Sequence, residues 1–311
     1  MKLKIFDTKK GAKGDLQLPA QFNEPVRQDL IHRVVLSLQA GSRQPYGTDP
    51  DAGMRYSAKL SRRRRNYRGS YGKGISRVPR KILNRRGSQM YMVGALAPGT
   101  VGGRRAHPPK ASKVWDQKVN RKENRKAIRS ALAAVIDKTL VTQRGHKLPA
   151  EYPFIIDDSF ETLAKTKDVM QALLLLGFEA ELARSSFTTV RAGKGKLRGR
   201  KSKRAVSLLL VTGDDDVALL DGAANIPGVT VVPVRSLNVE VLAPGTHAGR
   251  ATLFTQHALK VMQDEQLFLD GEAPAEKTVK PAAKKEEKVE KTEKKPAVKA
   301  AAKPAAKPAK K

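Results

Sequence analysis

The sequence predicts an α/β fold: a mostly parallel sheet with helices on its faces, joined to a long extended basic loop and a disordered C-terminal tail. Three observations predict it. Short apolar runs alternate with helix-length amphipathic segments from residue 116 to residue 266. Between Ala52 and Trp115 the chain carries 17 Lys and Arg and not one Asp or Glu over 64 residues. From Gly271 to Lys311 there are 13 Lys and 6 Glu among Ala and Pro, with almost nothing to bury. The expected organisation is a globular domain over residues 1–270, with the loop at about 42–115, and the tail over 271–311.

Lys2–Phe6 alternates like a strand. Pro25 opens a helix whose apolar positions Val26, Leu30, Val34 and Leu38 recur every four residues, and Gly41 stops it. Residues 42–115 hold neither period. Glycines and prolines punctuate them (Gly69, Gly72, Gly74, Pro79, Pro98, Gly102, Gly103, Pro108, Pro109) and argue against helix or sheet. Asp116 is a plausible N-cap for a long helix reaching about Val141, with Ile128, Leu132, Val135 and Ile136 on one face. Its first turns are basic (Lys118, Arg121, Lys122, Arg125, Lys126, Arg129), so the charge of the loop continues onto the helix. Strand 154–157 precedes helix 166–176, stopped by Gly177. Strand 178–182 leads to a second basic segment, then strand 206–211, helix 215–224 and strand 229–233. A last helix spans about 255–266.

Composition narrows the function. The formal net charge is +31 and the pI about 10.4, which points to nucleic acid or, second, to an anionic membrane surface. With no cysteine, disulfides and Cys-based zinc modules are excluded. The five histidines (His32, His107, His146, His247, His257) never stand three or four apart, so no helical metal pair exists. No apolar stretch approaches the ~20 residues of a membrane helix, and the start lacks a signal peptide's apolar region. The chain is expected to be intracellular and soluble, without cofactor or metal.

The acid-free loop is the strongest signal. A segment with few apolar side chains and no carboxylates can pack closely only against a polyanion. Fully extended it measures at most ~210–230 Å, so an out-and-back excursion could reach ~100 Å. Arginine forks bridge phosphates and tyrosine rings stack on unpaired bases. Its nucleic-acid candidates are Arg55, Lys59, Arg62, Arg63, Arg64, Arg65, Tyr67, Arg68, Tyr71, Lys73, Arg77, Arg80, Lys81, Arg85, Arg86, Arg104, Arg105, His107 and Lys110, continued on the helix by Arg121 and Arg125. The competing reading is a disordered basic linker or a nuclear-localisation signal. Interleaved tyrosines and the apolar island Met90-Tyr91-Met92-Val93-Gly94-Ala95-Leu96 argue against it. His107, before Pro108 and Pro109, reads as an RNA-stacking or hydrogen-bonding group.

The second basic stretch, Arg191 to Arg204, places eight basic residues among fourteen with glycines interleaved. It is expected to be a surface loop between two strands, with candidates Lys194, Lys196, Arg198, Arg200, Lys201 and Arg204; the bland reading is a solvated charge run. No P-loop spacing occurs. Asp157-Asp158 and Asp214-Asp215-Asp216 come after apolar strands, where α/β enzymes place metal or ribose ligands. Helix capping and dipole compensation explain acids there more simply, and no catalytic residue is assigned.

Several stretches resemble the universal large-subunit ribosomal protein L-four family, in its archaeal and eukaryotic branch. They are Pro25-Val26-Arg27-Gln28-Asp29-Leu30-Ile31, Gly72-Lys73-Gly74-Ile75-Ser76-Arg77-Val78-Pro79-Arg80, Gly102-Gly103-Arg104-Arg105-Ala106-His107-Pro108-Pro109-Lys110, Ile128-Arg129-Ser130-Ala131-Leu132-Ala133-Ala134 and Leu242-Ala243-Pro244-Gly245. Five matches in family order across roughly residues 1–270 make the resemblance specific. It implies a structural component of the large ribosomal subunit, in the cytoplasm, whose partners are large-subunit ribosomal RNA and neighbouring ribosomal proteins. It also implies that the loop threads through that RNA to the wall of the nascent-peptide exit tunnel. The tunnel-proximal tip, within reach of the nascent peptide, would be Asn66, Tyr67, Arg68, Gly69, Ser70, Tyr71, Gly72, Lys73 and Gly74, with no single lining side chain singled out. The tail departs from the compact archaeal pattern.

Two other functions stay open at this point. The Lys-Ala-Pro tail looks like that of a linker histone and suggests a DNA-compacting protein. The acidic clusters would suit an RNA-modifying or nucleolytic enzyme.

Overall fold

A computed structural model describes residues 1–66, 69–87 and 89–270 of the chain. In chain order, strands β1 (Lys2–Phe6) and β2 (Ala12–Gln17) lead to helix α1 (Gln28–Gly41). The long loop contains strands β3 (Arg80–Arg86) and β4 (Gln89–Gly94). Helices α2 (Arg121–Ile136) and α3 (Lys138–Gln143) and strand β5 (Ile155–Ile156) come next. Helices α4 (Thr166–Leu175) and α5 (Glu179–Ser186) precede the short strands β6 (Thr188–Val190) and β7 (Ser202–Arg204). The chain then runs through β8 (Leu209–Thr212), α6 (Ala218–Ala224), β9 (Thr230–Pro233), α7 (Val239–Leu242), β10 (Thr252–Phe254) and α8 (Gln256–Asp264).

The fold is mixed α/β, with helices and several small sheets. Among the described residues the strand orders are β2-β1-β5, β10-β8-β9, β3-β4 and β6-β7. β1 runs parallel to β5 and antiparallel to β2, while β8 is parallel to both neighbours. A parallel bridge from Ile156 to Thr255 lays β5 against the end of β10.

Alternation along these strands feeds two cores. Ile5, Ile155, Leu209, Val211 and Phe254 face one, shared with α1, α2, α7 and α8. Phe6, Ile156, Leu208, Leu210 and Leu253 face the other, shared with α4 and α6. Strands buried on both faces read as continuous apolar runs, as Leu208–Val211 does.

The structure corrects several expectations. Residues 179–186 are helical, not a strand. Gly177 (φ +90°) turns the chain sharply, and Glu179, Ala180, Glu181, Leu182 and Ala183 are helix formers with acids at the N-terminal end. The long helix starts later, at Arg121 after the N-cap Asn120, and breaks at Asp137. Asp137 caps α3 by accepting from the Thr139 N–H at 2.9 Å. The first helix begins at Gln28, three residues after Pro25, and Val26 is exposed. Here Ser130 Oγ accepts from the Arg27 N–H at 2.6 Å and donates to the Pro25 carbonyl at 3.1 Å. Arg129 does not extend the basic surface. It is buried, bonded to Glu24 (3.1 Å), Asp270 (2.9 Å) and the Phe268 carbonyl (2.6 Å). The tail expected to be disordered lies outside the described residues.

Candidate nucleic-acid interface

The loop leaves the body at the end of α1 and returns at the start of α2, so its two feet stand on neighbouring helices. Ser37 Oγ donates to the Gln117 carbonyl, and Arg33 pairs with Glu123 at 3.3 Å. Above them Tyr46 stacks on Trp115, ring centroids 5.8 Å apart and planes 21° from parallel. The Arg43 guanidinium lies 3.8 Å from the Trp115 ring centre and the Lys113 ammonium 4.1 Å. Contacts of this kind are worth about 0.5–1 kcal/mol each at exposed sites, and here they clamp the neck.

The outgoing and returning strands then run in contact. The Thr48 N–H donates to the Pro109 carbonyl at 3.0 Å. A Cβ on Gly47 would lie 2.3 Å from the Ala111 nitrogen, and one on Gly53 (φ +74°) 2.5 Å from the Arg104 nitrogen. Only glycine lets the two backbones approach this closely.

Beyond the neck the expectation of no regular structure fails. β3 and β4 form an antiparallel hairpin in register from Arg80↔Gly94 to Arg86↔Gln89, irregular between Ile82 and Asn84. Ile82 and the run Met90-Tyr91-Met92-Val93 have the β-branched and aromatic character that pairs on a pleated surface, and Gly87 (φ +55°) begins the turn. Leu60, Ile75, Val78 and Met92 line one small cleft, so residues 59–60 and 75–78 pack on the hairpin. The extension thus has a small apolar centre of its own.

Around that centre the predicted cations stand outward. Arg55, Lys59, Arg62, Arg63, Arg64, Arg65, Lys73, Arg77, Arg85, Arg86, Arg104, Arg105 and Lys110 are exposed, as are Tyr71 and His107. Arg62 to Arg65 have no carboxylate partner among the described residues. Five cations are engaged locally. Arg55 pairs with Asp49, and Arg85 donates to the Gly87 carbonyl at 3.0 Å. Arg80 is half-buried and bonds Ser76 and the Val78 carbonyl. Lys81 sits 4.2 Å over the Tyr56 ring, and Arg77 5.7 Å from that of Tyr71. In the tip segment Asn66, Gly72, Lys73 and Gly74 are exposed, whereas Gly69 and Ser70 are buried and Ser61 bridges to Gly69. Tyr67 and Arg68 lie outside the described residues.

On the body, Arg121 is exposed, and half-buried Arg125 donates to the Leu269 carbonyl at 3.1 Å. The second basic stretch is the arm of a hairpin, β6 pairing with β7, with a short 3-10 turn over Lys194–Arg198. Lys194, Lys196, Arg198, Arg200, Lys201 and Arg204 are all exposed there. The long loop and this hairpin stem from separate parts of the body.

The acidic clusters separate in role. Asp157 accepts from the Ser159 N–H at 3.3 Å and from Lys13 Nζ at 2.7 Å, and its carboxyl is held below the usual range. Burial works against that shift and the Lys13 and Ser159 hydrogen bonds outweigh it. Asp158 accepts from the His257 N–H at 2.6 Å at the start of α8, a capping contact. Asp214, Asp215 and Asp216 do not cap α6, whose N-cap is Val217 without a side-chain bond, so capping explains only the first cluster. Among the described residues no group of three or more His, Asp and Glu is placed to hold a metal ion.

The model of the family described as ribosomal protein L4/L1 matches residues 16–265, a span that takes in the whole loop and the basic hairpin. The chain belongs to this family. It is similar to large ribosomal subunit protein uL4 of Nanoarchaeum equitans, 45% identical over 268 residues, 86% of this chain and 100% of that one. The same-named protein of Methanococcoides burtonii is 47% identical over 266 residues (85% and 98%), and that of Archaeoglobus fulgidus 41% over 263 (84% and 98%). The family match stops short of the tail.

Nothing local in the sequence marks the neck residues Arg43, Tyr46 and Trp115 as a unit, because their contact joins the two ends of the loop. Trp115, the lone tryptophan, is the available signal.

Proposed function

We infer that the chain is a structural constituent of the large ribosomal subunit that binds large-subunit ribosomal RNA and catalyses no reaction. One observation carries the reading: an extension whose residues 52–115 include no acid, clamped at its neck and folded on a small apolar centre, presents exposed cations of which Arg62 to Arg65 have no carboxylate partner among the described residues. Such a surface supports close packing of RNA segments by lowering the repulsion between their phosphates. Family membership adds the ribosomal setting. Nothing in the comparisons supports the DNA-compacting alternative.

In finer detail, residues 1–270 form the ribosomal domain with the loop at about 42–115, and 271–311 form a separate tail. β2-β1-β5 and β10-β8-β9 act as one mostly parallel sheet, a view supported by the Ile156–Thr255 bridge. The cations named above contact the RNA, and the tip around residues 66–74 reaches the exit tunnel near the nascent peptide. The protein works in the cytoplasm among neighbouring ribosomal proteins, and among its described residues no helix is long and apolar enough to cross a membrane.

The test is equilibrium binding of the whole chain, and of a chain lacking residues 52–115, to protein-free large-subunit RNA over a salt series. Neutralising ~10 phosphates gives a slope of log K against log salt of about −7 to −9. Loss of most of that slope on deletion supports the reading; equal binding by both chains sinks it.

A further inference from the structure

Away from the long loop, a cavity of about 730 Å³ opens on the body where the end of α3, helix α5, strand β7 and the 244–248 turn meet. Arg144, Arg184, Lys203 and Arg204 line it, with His146 and His247. The nearby carboxylate, Glu181, is fully buried behind the wall, where it engages Arg184 and His146 and leaves the cavity surface without an anion. Deeper still, buried Arg250 is held by neutral acceptors only: the carbonyls of Ser207 (2.8 Å), Val241 (2.9 Å) and Leu208 (3.1 Å), and Thr230 Oγ1 (2.8 Å). Four cations in the cavity wall, with buried Arg250 near them, therefore stand against one carboxylate.

We propose that this cavity is a phosphate site for the backbone of an RNA strand, a second anchor independent of the long loop. The proposal rests on the RNA-binding reading above and deepens it. Cations gathered this closely repel one another unless an anion enters among them. Burial and then the neighbouring Arg144 pull the Arg250 pKa down to about 10, and burial and then Arg184 lower that of Arg144. The forks are also fixed in advance. Arg144 donates to the carbonyls of His247 and Pro244, and Arg184 to Glu181 and, at 2.8 Å, to the Val206 carbonyl. Little side-chain freedom is then lost when a phosphate docks.

Two features favour a polymer over a free anion. The volume falls within the ~300–1,000 Å³ of ligand cavities, room for a nucleotide unit and not merely one phosphate group. Lys203 and Arg204 belong at once to the cavity wall and to the exposed basic hairpin, so a strand tracking the hairpin runs directly into the cavity.

The experiment measures binding of the full chain to protein-free large-subunit RNA over a salt series, with inorganic phosphate and pyrophosphate as competitors. The double variant Arg144→Gln/Lys203→Gln is compared with wild type and with a loop variant, Arg62, Arg63, Arg64 and Arg65→Gln. The double variant should bind at least about tenfold more weakly at physiological salt, with a slope shallower by about 1.5, the loss of two phosphate contacts. Affinity within twofold of wild type and an unchanged slope, with the loop variant impaired, would overturn the cavity site and leave the RNA-binding reading intact. No RNA binding by wild type would remove both. Saturable binding of phosphate or pyrophosphate that RNA does not displace would assign the site to a free anion. Should the double variant fail to fold, Lys203→Glu, an exposed position whose side chain has no protein partner among the described residues, carries the same comparison.

Discussion

Replacing Glu181 by Gln tests the electrostatics behind the cavity. The Glu181 side chain is fully buried and accepts from His146 Nδ1 (2.7 Å), the Lys147 N–H (2.9 Å), Ser207 Oγ (2.9 Å) and two nitrogens of Arg184 (2.9 and 2.6 Å). Burial alone would push its pKa up. The bonds from Arg184, His146 and Lys147 outweigh it and bring the value from 4.5 down to about 2. A depressed folded-state pKa contributes stability that is complete above the unfolded value and is lost as pH falls through the folded one. The window therefore runs from about pH 5 down to pH 2, and the contribution at pH 7 is about 3 kcal/mol. Glu181→Gln should lose about that amount at pH 7 in urea denaturation. At pH 3, where somewhat more than half of the wild-type contribution has gone, the gap between the two proteins should shrink to about 1.4 kcal/mol. An equal gap at both pH values, or wild-type stability of the variant at pH 7, would refute the reasoning.

Neutralising Arg62, Arg63, Arg64 and Arg65 to Gln should make the salt slope of RNA binding shallower by about 3, one phosphate contact per arginine, while the thermal unfolding midpoint stays put; binding titrations and calorimetry check both. Gly47→Val places side-chain atoms where the Ala111 backbone lies, so limited proteolysis should cut the 43–58 and 103–115 strands several-fold faster with the body still resistant. Deleting residues 52–115 should leave a cooperative thermal transition, because both main cores are built from residues outside that stretch. Loss of that transition would show that the extension supports the body.

Much of the body is legible in the sequence because local patterns agree with it. The alternation in Lys2–Phe6 and the apolar run through Leu208–Val211 mark strands buried on one or both faces, and Leu30 and Val34 face the core at their expected helical spacing. The 179–186 helix hides because Phe178 to Leu182 is short and apolar at its ends. The turn at Gly177 decides it, and a glycine stop is compatible with either a strand or a second helix after it. β6, β7 and β10 are three residues each, too short for any periodicity to register.

At the interface, charge is legible and shape is not. Sequence places Arg62 to Arg65 in an acid-free stretch, but cannot show that Tyr46 meets Trp115 or that Gly47 and Gly53 zip the neck. The β3-β4 hairpin escapes notice because its glycine turn reads as one more breaker. The cavity is invisible for a related reason. Lys203 belongs to the conspicuous basic stretch, but Arg144 and Arg184 sit in unremarkable segments, and only the fold brings the three together.

The central claim is that the extension is embedded in ribosomal RNA and not laid on its surface. Sedimentation of the native protein from a cell lysate, before and after a high-salt wash of the ribosomes, tests it most directly. The account predicts retention in the large-subunit peak after the wash, because buried contacts are screened far less than exposed ones. Release at modest salt, or migration with chromatin, would contradict it.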